Sequence, residues 1–167
     1  MGIHINFLTR TAMFLALSLA LQIFRFPPFI TGPLVNLLLA MAVFWAGPAS
    51  GATIGLLTPW AALLLGILPA PLMPAIPFIM LGNLLYTIIL GMLYRYIPSL
   101  CSCIFGVIIG AAAKFIVIAS AVSFFLTLPA SLAGALLFPQ LYHALIGGLT
   151  AVFLSSYIPG SILYQSE

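Results

Sequence analysis

One lysine stands where a cation is hardest to keep. Lys114 lies in Gly110-Ala-Ala-Ala-Lys114-Phe-Ile-Val-Ile-Ala119, far from either end of a long apolar run. A charged side chain at bilayer depth is expensive and marks a functional position. Its ammonium can reach the interface only by snorkelling across most of a leaflet. An internal ion pair is excluded, because the one acidic residue, Glu167, sits at the tail. Lys114 is therefore a candidate partner for an anionic or strongly polar ligand group. The competing structural reading caps it with carbonyls and Asn or Gln side chains, or puts it in a water-filled crevice.

Other polar residues inside apolar runs carry the same ambiguity. Asn83 and Tyr86 are three apart and share a helix face. They are candidate ligand contacts, or else hydrogen bonds between helices. Gln140 and His143 share a face just after Pro139. They meet a ligand, or they satisfy backbone groups that the proline frees. Asn36 and Trp60 complete the candidate binding set, with Trp60 otherwise an interface anchor.

Catalysis finds little support in these residues. Only His143 and Lys114 could move a proton, and they occupy different helices without an acidic orienter. Neither a metal cluster nor a cofactor motif is present. Cys101 and Cys103 are one residue apart, whereas redox pairs favour two intervening residues. They read as small hydrophobes. No glycine-rich phosphate loop ending in Lys-Ser or Lys-Thr occurs, so any ATP must be hydrolysed by a partner chain. Four basic residues are too few for a nucleic-acid footprint.

The elements that hold these groups must be membrane helices. Only 3% of the 167 residues are charged and 65% are apolar. A soluble domain carries roughly 25% charged residues, so lipid must be the solvent for most of this chain. A spanning helix takes roughly 20 apolar residues. Prolines and glycines then divide the chain into six spans forming one integral membrane domain: about 5–26, 34–46, 49–66, 78–96, 100–126 and 131–158. The first reads as a true span, not a removable signal peptide. Pro139 is expected to kink the sixth. The link Leu68–Pro77 holds four prolines yet is apolar. Irregular backbone cannot face lipid, so this link must be covered by protein or border a cavity.

Lys and Arg near span ends set orientation. Arg10 and Arg95 favour both termini in the cytoplasm, and Arg25 opposes. In that orientation Gln22, Asn36, Thr58, Trp60, Asn83, Tyr86, Ser120, Ser123 and Gln140 fall in the outer halves of the spans, with Lys114 and His143 nearer the midplane. The proline-rich links lie on the same side. A mostly apolar pocket with a few placed polar groups, open to the outside, fits that distribution. In the first span Ala12, Ala16 and Ala20 recur every four residues, a small-residue face that lets another helix approach closely. The helix could belong to this chain or to a partner subunit.

Four stretches carry a family likeness: Thr11-Ala-Met-Phe-Leu-Ala16 with the continuing alanine strip; Trp45-Ala-Gly-Pro-Ala-Ser-Gly-Ala52 followed by Gly55-Leu-Leu-Thr58; Ile76-Pro-Phe-Ile-Met-Leu-Gly-Asn83; and Phe138-Pro-Gln-Leu-Tyr-His143. With them the chain resembles the substrate-binding S components of energy-coupling factor (ECF) transporters, which import vitamins and cofactor precursors. The resemblance implies a six-helix bundle in the cytoplasmic membrane of a bacterium or archaeon. Substrate would bind near the outer face, under the links between spans one and two and spans three and four. It further implies docking on a transmembrane T subunit through Ala12, Ala16 and Ala20, two ATPase subunits, and toppling of the S component in the membrane. The link at Leu68–Pro77 would be a gate. Lys114 tilts the expected ligand toward a carboxylate or other anion, with Trp60 and Tyr86 stacking on a ring. The rival reading is an autonomous channel or secondary carrier. Such carriers often use intramembrane acids and repeated halves, and neither is visible here.

Overall fold

The computed structural model describes residues 2–97 and 99–157. Glu167 and the expected end of the sixth span at Ile158 lie outside the described residues. Six main helices form: α1 (Gly2–Ile23), α2 (Pro28–Ala46), α3 (Pro48–Leu64), α4 (Ile76–Tyr96), α5 (Leu100–Phe124) and, after the short α6 (Ala130–Leu136), α7 (Phe138–Tyr157). No strand occurs among the described residues. Five stretches are long and apolar enough to cross a membrane: Asn6–Ile23, Pro28–Ala46, Ala70–Tyr96, Leu100–Phe124 and Ala130–Tyr157. Helix α3 has 17 residues, about 25 Å of rise.

Prolines place most of the boundaries, in two cases differently from expectation. α2 starts at Pro28, six residues ahead of the expected Leu34, so the supposed link is helix. Pro28 occupies the first helical position, where its missing N–H costs nothing and its fixed φ suits the helix. Thr31 Oγ1 donates to Phe26 O at 2.8 Å and satisfies a carbonyl at this end. The sixth span is broken at Leu137, which leaves α6 and α7 as separate helices in place of one kinked helix. The link from α3 to α4 contains a 3-10 turn, Ala70–Ala75, in which Leu72 and Ala75 are buried. They pack with Ile79, Ile118 and Leu136, so this proline-rich segment is covered by α4, α5 and α6.

The main core joins Leu39, Val43 and Phe44 of α2 to Ile54, Leu90, Val107 and Ala151 on the neighbouring helices. Helix α1 contributes Phe14 to this core. It also buries three of its polar residues, Thr11, Ser18 and Gln22. Thr11 Oγ1 donates to Ser50 Oγ of α3 at 2.9 Å. Arg10 Nη1 donates to Trp45 O at 2.6 Å, placing a cation at the negative end of α2.

α2 and α7 touch almost backbone to backbone. A Cβ on Gly147 would overlap Pro33 O and Leu37 N. Gly147→Val is expected to force these helices apart and to destabilise the fold by about 1–3 kcal/mol or more. A thermal melt of the purified protein in detergent measures it; an unchanged melting temperature would contradict so close a crossing.

Candidate functional site

Along α2, α3, α4, α5 and α7 the main core lies toward one end of the bundle. A group of polar residues lies toward the other, where the α1–α2, α3–α4 and α5–α6 links run. Between them is a cavity of about 160 Å³. Its lining combines apolar Val35, Pro59, Ala62, Ile67, Leu68 and Ile79 with Gln22, Thr31, Asn36, Thr58, Asn83, Lys114, Gln140 and His143. Ile67 and Leu68 come from the α3–α4 link, so this link borders the cavity.

Lys114 is 2% exposed. Its stem crosses α4 at Gly82, where a Cβ would come within 3.0 Å of Lys114 Cγ. The ammonium donates to Asn36 Oδ1 at 2.9 Å. Asn36 Nδ2 in turn donates to Gly32 O at 2.8 Å. That bond fixes the amide orientation, since a carbonyl can only accept. An ammonium has three hydrogens, and Asn36 occupies one. No acidic side chain stands among the described residues to neutralise it.

Asn83 is held by a defect in the helix beside it. Pro59 has no N–H, so the carbonyl four residues earlier in α3, Gly55 O, loses its helical partner. Asn83 Nδ2 supplies one at 2.9 Å. Gly55 also lets α4 approach, since a Cβ there would come within 2.8 Å of Asn83 Cβ. With the nitrogen committed, Asn83 Oδ1 is buried without a hydrogen-bond partner. Gln22 Oε1 and His143 Nε2 are likewise buried and unpartnered. All three residues line the cavity. Buried polar atoms are nearly always satisfied, so three such atoms on residues around one cavity call for a common explanation. His143 is 5% exposed, and its ring lies where a side chain on Gly32 would be.

Of the candidate binding residues, Lys114, Asn83, Gln140, His143 and Asn36 line this cavity, and Tyr86 and Trp60 do not. Tyr86 is fully buried. Its hydroxyl donates to Ala144 O at 3.3 Å. Its ring fits against Gly110 and its hydroxyl against Gly148, so it ties α4 to α5 and α7. Trp60 is 41% exposed on the outside of the bundle. Gln22, Thr31 and Thr58 join the lining without having been singled out from the sequence. For Gln22 and Thr58 the available signal was a polar side chain in the same half of the spans. Ala12, Ala16 and Ala20 are exposed on α1, on the side away from its buried residues.

Arg25 stands at the cavity end, in the α1–α2 link, at φ 50. Its Nη2 donates to Leu65 O at 3.2 Å. It thereby ties that link to the one between α3 and α4.

The sequence matches the family described as "ECF transporter, substrate-specific component" over residues 6–159. The comparison with curated proteins gives no match, and neither does the comparison with solved structures. The family match spans nearly the whole chain, and it agrees with the all-helical bundle, the long apolar helices and the polar-lined cavity. The chain belongs to the substrate-specific components of ECF transporters, multi-pass proteins of the cytoplasmic membrane that bind the small molecule to be imported while partner subunits hydrolyse ATP.

Proposed function

We propose that this chain captures a small anionic vitamin or cofactor precursor in the cavity beside Lys114. One observation carries this reading: a buried cation without a carboxylate shares a cavity with three unpartnered polar atoms. A ligand anion supplies the acceptors that the ammonium lacks. It also restores electrical balance in a region where an unpaired charge is costly. Lys114, Asn36, Asn83, Gln140 and His143 hold the ligand, joined by Gln22, Thr31 and Thr58. Tyr86 acts by packing and Trp60 has no contact with the ligand. The bundle is a single membrane domain with both termini in the cytoplasm, and the cavity faces outward.

Native mass spectrometry of the purified chain tests the assignment. A co-purified carboxylate or other anion supports it. A ligand without a negative charge overturns it.

Delivery follows from the exposed face of α1. Ala12, Ala16 and Ala20 form the strip on which the T subunit packs, because small residues allow close helix contact. Ala16→Trp would hold the two helices apart. It is expected to abolish uptake in cells expressing the complete transporter while leaving ligand binding by the purified chain within about twofold of the parent. Parallel uptake and binding assays check this. Unimpaired uptake would remove the strip from the interface.

A further inference from the structure

We infer that the ligand is a compact molecule of about one ring that carries a hydrogen-bond donor as well as its anionic group, with the donor directed to Asn83 Oδ1. The inference rests on reading Lys114 as the anion's partner, and it adds a second polar end. Asn83 is 4% exposed, and its oxygen is unpartnered. Its orientation is fixed by Gly55 O, which only the amide nitrogen can serve. The unpartnered atom of this lining residue is therefore an acceptor and cannot be swapped for a donor by turning the amide over. A purely anionic ligand offers acceptors alone. It would satisfy Lys114 and leave Asn83 Oδ1 stranded.

The two demands come from neighbouring helices, α5 and α4. Lys114 crosses α4 at Gly82, and Asn83 is the next residue. The cavity lining thus combines a donor set, the ammonium, with an acceptor. Gln22 Oε1 is a further buried oxygen on the lining. Size limits the choice further. The cavity measures about 160 Å³, close to the ~150 Å³ that accommodates one benzene ring in a protein core. The best-matched class is a small ring acid bearing an N–H or O–H.

A matched set of probes separates the contributions: benzoate, aniline and 2-, 3- and 4-aminobenzoate, titrated calorimetrically into the purified full chain freed of endogenous ligand. The expected result is that at least one aminobenzoate binds roughly tenfold or more tightly than benzoate. That preference should collapse in Asn83→Ala. If this variant does not accumulate, the comparison on the parent protein decides alone. Benzoate binding as well as every aminobenzoate, yet better than aniline, would overturn the donor assignment and leave the anionic reading standing. Aniline binding best would instead overturn the anionic reading. Failure of all five probes to bind would overturn the size assignment and the inference with it.

Discussion

Lys114→Met is expected to weaken ligand binding roughly 10- to 100-fold while the empty protein stays folded. A hydrogen bond to a charged group contributes about 1.5–3 kcal/mol, and each 1.4 kcal/mol is tenfold in affinity. Methionine fills much of the volume of the lysine stem that lies on Gly82 and carries no charge. Removing a buried cation that has no carboxylate partner also removes the desolvation cost of its charge. The melting temperature of the unliganded variant should therefore equal or exceed that of the parent, whereas the rise produced by ligand should shrink. The two readouts move in opposite directions, which a general loss of fold could not produce. Asn36 Oδ1 loses its donor in this variant, so a small part of the expected gain in stability is offset. Equal ligand affinity in parent and variant would mean that the ammonium is only a structural cap on Asn36.

The helices were legible because lipid imposes a simple rule. Every backbone group must pair within its own helix, so long apolar runs bounded by Pro or Gly become spans. The departures have local causes. Counting Pro33 as a breaker delayed the start of α2, although a helix that begins at Pro28 simply carries it as an internal proline. Within the cavity, sequence spacing decided which half of the bundle each residue occupies but not which way it faces. Asn83 and Tyr86 are about 60° apart around α4 at 3.6 residues per turn. That offset is enough to put one on the cavity and the other between α5 and α7. What selects between them is the space left by Gly110 and Gly148 on other helices, a pairing no single-helix pattern reveals. Trp60 follows Thr58 by two residues, about 200° round the helix. Once Thr58 faces inward, Trp60 must face out. The reverse also holds for Gln22. It is one more polar residue near the end of α1 in sequence, and it becomes part of the cavity only because Thr11, Phe14 and Ser18 turn the same face inward.

Asn36→Asp is expected to suppress anion binding at least as strongly as loss of the lysine, with Lys114 still in place. The native amide does two things at once. Its oxygen orients the ammonium at 2.9 Å and its nitrogen donates to Gly32 O at 2.8 Å. Because the amide is neutral, it holds the lysine without consuming its charge. A carboxylate at this position would form a buried ion pair with Lys114 and leave no net charge to attract a ligand anion. Its second oxygen would face Gly32 O, acceptor against acceptor, an unfavourable contact. Affinity for an anionic ligand should therefore fall roughly 100-fold or more, since both the charge and the free hydrogens of the ammonium are engaged. Asn36→Ala serves as the control. It removes the orienting bond and adds no charge, so its loss should be smaller, about tenfold or less. The order parent, alanine, aspartate in decreasing affinity is the signature of charge neutralisation. Alanine binding worse than aspartate would show that the lysine's charge is not what draws the ligand.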